Sequence, residues 1–375
     1  MIYFDSSATT FQKPPAVAAA MAEALRTMSS PGRGGYKAAM AAADTVFQCR
    51  SELTELFHMK DPERVVFTTN ATHGLNIAIK SLVSHGGSVV TSGYEHNAVT
   101  RPLHALEAKV SAAAAPLFQP DETLKEFDRL IVPGTEAVIC NHVSNVFGAV
   151  QPVEGVAAIC KERGIPLIID ASQSAGLLEL DMESLDAAFI AMPGHKGLYG
   201  PQGTGVLLCG EGVQPKTLME GGTGSLSLQQ QMPSFLPDLL EAGTHNVPGI
   251  AGLLAGIRYV RQKGMERICQ KERCLANLTA EGLKCLPGVH VFAQPGLPGQ
   301  VGVLSFTVDG WDCEELAFAL GEKEVAVRAG LHCAPLAHRT GGTFETGTVR
   351  VSFSDFNTER EVRSFLDLMR GILKA

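Results

Sequence analysis

Aromatic side chains are scarce in this chain, at 6 % of 375 residues with a single Trp, and charged residues are only 19 %. Basic residues are in deficit, since the formal net charge is -8. That balance argues against nucleic acid as a main partner. No uncharged apolar run reaches the roughly 20 residues that a membrane-spanning helix needs. No basic segment followed by an apolar stretch opens the chain, because Ile2-Tyr3-Phe4 leads straight into Asp5-Ser6-Ser7. The expectation is a cytoplasmic protein with no membrane partner. The nine cysteines are odd in number, and none forms a C-x-x-C pair. A disulfide framework and a structural zinc site are both disfavoured, and no metal is expected. Cys140, Cys160 and Cys209 fall in apolar patterns, as small core residues do. Cys333 does not.

What is present is a large apolar fraction, 45 %, in a chain long enough for two domains. From about residue 16 to 250, short apolar runs alternate with helical patterns. The runs are Val65–Phe67, Val89–Val90, Ala137–Ile139, Leu167–Ile169, Phe189–Ile190 and Val206–Leu208. Helices are expected over roughly 71–83, 97–107 and 153–163. This order implies an α/β fold with a mainly parallel sheet covered on both faces. Beyond residue 251 the pattern becomes α+β. Helical stretches run through 252–264 and 266–285, followed by Val301–Val308, Glu314–Leu320 and Thr348–Phe353. The Gly/Pro-rich segment Gln294–Gly299 reads as a loop. No internal repeat is present.

The most informative segment is Ala191-Met192-Pro193-Gly194-His195-Lys196-Gly197-Leu198-Tyr199-Gly200. A lysine in a glycine-rich loop after a buried strand lies at the carboxyl edge of the sheet, where such folds bind ligands. A shielded lysine there loses its proton readily and bonds to an aldehyde as a Schiff base. The plain alternative is a solvated lysine in a turn. Asp170 ends the wholly apolar run Pro166-Leu167-Ile168-Ile169. An aspartate at one strand end and a loop lysine at another suit pyridoxal phosphate, whose ring nitrogen keeps its proton beside a carboxylate. Alone, Asp170 would read as a helix cap.

Other strand ends carry further candidates. Thr68–Asn76 follows a strand and opens a helix, so its first turn around Ala71 and Thr72 can hold a phosphate, or Thr72 or Asn70 can simply cap it. His96 can stack on a planar ring or serve structurally. Asn145 can donate to a ring oxygen or hold a turn. Cys333 lies in Arg328-Ala329-Gly330-Leu331-His332-Cys333-Ala334-Pro335, where the neighbouring arginine and histidine can lower a thiol pKa and leave it reachable. Arg350 alternates with apolar neighbours on an expected strand and suits a bidentate clamp on a carboxylate.

Taken together, these segments resemble the class V, fold-type I pyridoxal phosphate enzymes. Within them, Arg-x-Gly-x-His-Cys-Ala at Arg328–Ala334 is similar to the group II cysteine desulfurases and selenocysteine lyases. The resemblance runs from Tyr3-Phe4-Asp5-Ser6-Ser7-Ala8-Thr9 to Arg350. It implies a large cofactor-binding domain over 16–250 and a smaller α+β domain formed by 1–15 and 251–375. It also implies a role for each candidate. Lys196 is the Schiff-base lysine, Asp170 meets the pyridine nitrogen, and His96 stacks on the ring. Asn145 and Gln173 contact ring substituents. Ala71, Thr72 and His195 hold the phosphate, with Thr244 reaching in from a partner subunit of a homodimer. Arg350, with Asn145 and Arg328, binds the substrate carboxylate, and Cys333 takes the sulfur as a persulfide. The implied reaction converts L-cysteine to L-alanine, with a sulfur-acceptor protein downstream. Selenocysteine lyase, or another class V lyase or aminotransferase, is the alternative. A non-catalytic pyridoxal-phosphate-binding regulator is disfavoured, because the cofactor-type pattern starts near residue 5 and the charge is acidic. Three departures stand out: Pro193 where many relatives have serine, Tyr36 where many carry histidine, and an inserted-looking Thr340–Thr343.

Overall fold

The computed structural model describes all residues except Arg33, Pro295, Leu297, Pro298 and Ala375. Three residues of the expected Gln294–Gly299 loop therefore lie outside the described residues. The strands are β1 (Ile2–Tyr3), β2 (Val65–Thr68), β3 (Ser88–Ser92), β4 (Lys109–Ala113), β5 (Thr135–Asn141), β6 (Leu167–Asp170), β7 (Phe189–Pro193), β8 (Gly205–Cys209), β9 (Val289–Phe292), β10 (Val303–Val308), β11 (Val325–Ala326), β12 (Arg328–Gly330) and β13 (Thr348–Ser352).

Seven strands form the main sheet in the order β2-β8-β7-β6-β5-β3-β4. All run the same way except β8, which is antiparallel to both of its neighbours. The central strands are apolar along their length because both faces are covered. In β6, Leu167 and Ile169 enter one core with the helices Lys37–Leu56 and Val153–Arg163, while Ile168 enters the other with helix Ala71–Leu82. The register places Asn141 beside Asp170 and Pro193 beside Gly205, and Thr68 beside Gly205. The carboxyl ends of β2, β5, β6 and β7 thus meet along one edge. Strand β4 has no apolar run to announce it. Lys109, Val110 and Ser111 are exposed on this edge strand, which is set by its parallel pairing with β3.

A second, antiparallel sheet runs β12-β13-β10-β9, and β1 pairs in parallel with β11. Its core is separate and gathers Phe4, Leu304, Phe306, Val349, Val351 and Phe365. The first residues therefore pack with the last hundred. Helix Val247–Lys263 spans residue 250, and it sends Val247, Ile250, Leu253 and Ile257 into the main-sheet core. Phe4 is fully buried, 4.9 Å from the ring of Phe353 and 5.7 Å from that of Phe365, both edge-on. Phe4→Ala is expected to cost about 3–5 kcal/mol, the usual cost of emptying a buried aromatic site. Chemical denaturation followed by circular dichroism measures this, and a loss below 1 kcal/mol would mean that the amino-terminal segment is not held by this core.

Candidate active site

Along the carboxyl edge lies a cavity of about 120 Å³. After β2 it is lined by Ala71 and Thr72, after β3 by His96, after β5 by Asn145, after β6 by Asp170 and Gln173, and after β7 by His195 and Lys196. Eight of the candidate residues, scattered over 126 positions of sequence, face one space. Pro193 also lines it.

The lysine loop is pressed tightly onto its neighbours. A side chain at Gly197 would put its first carbon 2.4 Å from the Ala175 carbonyl oxygen, so only glycine lets the loop lie there. Burial lowers the Lys196 ammonium to about 8; Asp170 opposes that shift and Arg350 adds to it. One Asp170 oxygen accepts the Ser172 N–H at 2.9 Å, and the other has no protein donor among the described residues. The capping geometry and a free carboxylate oxygen coexist in the same side chain. His96 accepts the Ala98 N–H on Nδ1 at 3.0 Å, which places the proton of the neutral ring on Nε2. Burial chiefly, with Lys196, Arg350 and Arg101, lowers His96, while Asp170 pulls the other way. His195 is lowered to about 4 by burial and by the charges of Lys196 and Lys13, and its Nδ1 lies 3.0 Å from Thr9 Oγ1. Both imidazoles are therefore neutral near pH 7.

Helix Ala71–Leu82 is capped by Asn70, whose side chain accepts the His73 N–H at 2.9 Å. Thr72 is not the cap. The amides of Ala71 and Thr72 have no protein acceptor among the described residues. They point the positive end of the helix at the cavity.

Arg350 is buried, not a solvent-facing strand residue. It donates to the Asn145 carbonyl at 2.8 Å and to Asp5 Oδ1 at 2.9 Å, and its Nε has no partner among the described residues. Arg328 is largely exposed and grips the same carboxylate, with Nη2 3.0 Å from Asp5 Oδ2. Neither arginine lines the cavity itself, but Arg350 joins it through Asn145. Cys333 is exposed and adopts a left-handed backbone with φ 55°, as does His332 with φ 49°. Its carbonyl accepts the Asn97 N–H at 2.8 Å, and the His332 carbonyl accepts from Asn145 Nδ2 at 2.9 Å. The thiol-bearing turn is thus tied to residues on either side of the cavity. His332 is itself buried and, chiefly by burial, pushed far below its usual pKa, so it adds no positive charge beside the thiol.

Thr244 does not reach this cavity within one chain. It lines a separate one of about 160 Å³ with Thr69, His73 and Gly203. The preceding Glu241 is fixed by Arg50, by the Phe67 N–H at 2.6 Å and by His245 at 2.6 Å. Tyr36 is exposed, and its hydroxyl takes a hydrogen bond from Ser29 at 3.1 Å.

Sequence reasoning gave no role to several residues that build the site. Asp5 pairs both arginines. Ser7 exchanges hydrogen bonds of 3.1 Å with Gln173, and Lys13 donates to the His195 carbonyl at 2.8 Å. Asn141, at the end of β5, also lines the cavity. The only hint was the polar run Asp5–Thr10 directly after an apolar triplet. Among the described residues no group of three or more His, Cys, Asp or Glu is placed to hold a metal, and no helix is long and apolar enough to cross a membrane.

The architecture is that of the fold-type I transferases, and the chain belongs to the aminotransferase class-V family, whose model it matches over residues 2–365. Over its full length it is 32 % identical to a probable cysteine desulfurase of Pyrococcus abyssi, covering 95 % of that protein. It is also 32 % identical to a longer probable cysteine desulfurase of Mycolicibacterium paratuberculosis, of which it spans 55 %. Among solved structures, the apo cysteine desulfurase of Thermococcus onnurineus NA1 superposes with a TM-score of 0.91 at 33 % identity, over 100 % of this chain and 94 % of that one.

Proposed function

We propose that this chain is a pyridoxal-phosphate-dependent cysteine desulfurase, converting L-cysteine to L-alanine and leaving the sulfur on Cys333. The observation that carries this reading is the exposed Cys333 turn, hydrogen-bonded through Asn145 and Asn97 to the rim of the cavity that holds Lys196 and Asp170. The residues fit the cofactor. Ala71 and Thr72 offer free amides for a phosphate, Asp170 keeps one oxygen free, and Asn145 Oδ1 is buried without a partner. When bound, pyridoxal phosphate supplies an electron sink for charge developing on the substrate.

The chain's own groups do the rest. Lys196 holds the cofactor aldehyde and moves a proton at the substrate α-carbon, a task suited to an amine poised near neutral pH. Asp170 keeps a proton on the ring nitrogen. His96, held neutral by burial, would stack on the ring without adding charge there. Arg350, backed by Arg328, pairs with the substrate carboxylate. The Cβ–S bond of L-cysteine breaks, an S–S bond forms at Cys333 Sγ, and L-alanine leaves. A homodimer is supported by the exposed Thr244, whose cavity the exposed apolar Met219 also lines. A partner subunit's Thr244 would then complete the phosphate site. A thiol-bearing acceptor protein in the cytoplasm would collect the sulfur. The test is the yellow colour of the purified protein, with L-alanine and reducible sulfur formed one to one from L-cysteine. Colourless protein that cannot be loaded with pyridoxal phosphate would overturn the reading.

The depressed lysine also sets a pH dependence. Below about 8 Lys196 carries a proton, and each unit of acidification removes about tenfold of its reactive amine. The rate at which cofactor-free protein takes up pyridoxal phosphate is expected to climb with pH and level near 8, not near the 10.5 of an ordinary lysine. The linked stability has the same sign. The unfolded chain holds more protons between about 8 and 10.5, so folding gains with rising pH across that window, and the penalty of the buried ammonium is complete below it. Stopped-flow absorbance across pH measures the first effect, and uptake still accelerating at pH 10 would contradict it.

A further inference from the structure

We propose that Glu95 is an uncharged carboxylic acid whose proton, passed through Ser92, positions Asn141 and the His96 turn beneath the cofactor cavity. Ser92 Oγ lies 2.6 Å from Glu95 Oε1 and 2.7 Å from Asn141 Oδ1. The hydroxyl has a single proton and can satisfy only one of them. The Asn141 amide is not reversed, because its Nδ2 donates to the Tyr94 carbonyl at 2.9 Å. Its oxygen therefore faces Ser92 and needs the hydroxyl proton. A carboxylate at Glu95 would then set lone pair against lone pair at 2.6 Å. A proton on Glu95 Oε1, donated to Ser92 Oγ, removes that conflict. Ser92 still has a lone pair for the Tyr94 N–H at 3.1 Å, and Oε1 still accepts the Asn141 N–H at 2.8 Å.

Two further observations agree. Glu95 is fully buried with no cation paired to it among the described residues, and its Oε2 has no hydrogen-bond partner. An ionised carboxylate left so would be far costlier than the carbonyl of an acid. Burial, reinforced by the charge of Asp170, pushes the Glu95 carboxyl up to about 8, although the Ser92 and Asn141 hydrogen bonds pull it down. Asp170 is the one carboxylate among the residues that line the cavity, and a neutral Glu95 puts no second negative charge behind it. The relay also ties the end of β3, and with it His96, to the end of β5. Its value to the reaction rests on the function proposed above; the proton on Glu95 does not.

Infrared spectroscopy of the purified protein at pH 7 tests the proton without turnover. The wild type should show the carbonyl stretch of a protonated carboxylic acid, above the amide band and lowered in D2O. Glu272 is a second buried carboxyl that burial holds well above the usual range, so the Glu95 band is read in the wild-type minus variant difference spectrum: Glu95→Gln should remove that component, and Asp170→Asn should keep it. If Glu95→Gln does not fold, Ser92→Ala replaces it. That variant leaves the acid without its acceptor, so the band should move to higher frequency. No such band in the wild type, or a band that neither variant alters, would overturn the proposal. The positioning role is read from kinetics with L-cysteine. Glu95→Gln and Ser92→Ala should each lower kcat about tenfold, the equivalent of one buried hydrogen bond, with KM little changed. The double variant should be no worse than either one, and multiplied losses would refute a shared relay. Failure of the infrared test leaves the desulfurase assignment standing, and failure of that assignment leaves the infrared test valid.

Discussion

Cys333→Ser should retain its fold and its bound cofactor while losing L-alanine formation from L-cysteine by about a hundredfold or more. The reason lies in the chemistry of one atom. A serine hydroxyl is far less acidic than a thiol and cannot take sulfur into an S–S bond. Little structural cost accompanies the change. Cys333 is exposed, its hydrogen bonds to the scaffold run through its backbone carbonyl, and serine fits the same left-handed turn as well as cysteine. An aminotransferase built on the same cavity would be indifferent to this substitution, because amino-group transfer uses no thiol. The measurement is steady-state L-alanine production alongside the absorbance change on adding L-cysteine. Unimpaired turnover would leave the cofactor assignment intact and remove the desulfurase one.

Lys196→Ala is the second large effect. General acid–base catalysis by a positioned side chain contributes about 10²–10⁴-fold, and on the proposed function this lysine also anchors the cofactor, so loss at the upper end of that range is expected. Borohydride should no longer fix pyridoxal phosphate to the chain. Folding should not suffer. Burial already disfavours the Lys196 ammonium, so removing it near pH 7 relieves a desolvation penalty and leaves no paired anion stranded, Asp170 keeping its Ser172 contact. Thermal denaturation of the cofactor-free variant should give a Tm no lower than that of the cofactor-free wild type. A marked fall would mean that Lys196 is a structural lysine.

The large effects fall on residues that were readable in the sequence for a physical reason. Strands β6 and β7 are buried on both faces, so they appear as uninterrupted apolar runs, and the polar residue ending each run is conspicuous: Asp170, and His195-Lys196 just beyond β7. The helix at Ala71 was equally legible because it opens directly from β2. What stayed hidden depends on contacts between distant segments. Asp5 meets Arg350 across 345 positions, and Ser7 meets Gln173 across 166. No local period encodes either pairing. Strand β4 was missed because an edge strand with exposed Lys109, Val110 and Ser111 needs only a neighbour, not an apolar run. Glu95 is invisible in another way. A glutamate before a histidine reads as a polar turn, and only its burial between Ser92 and Asn141 shows that it needs a proton. Thr244 marks the limit of a single chain, since its cavity lies apart from that of Lys196.

On the proposed function, sulfur leaves L-cysteine and arrives on one particular thiol. Six of the nine cysteines are buried, and Cys274 and Cys285 are exposed on and just after helix Met265–Lys284 and line none of the cavity, so the protein carries its own controls. Peptide mass spectrometry after brief treatment with L-cysteine, with the thiols alkylated, reads the outcome directly. One added sulfur on the peptide carrying Cys333, and none on those carrying Cys274 or Cys285, is the expected result. Sulfur spread over all three, or L-alanine produced while Cys333 stays unmodified, would contradict the account.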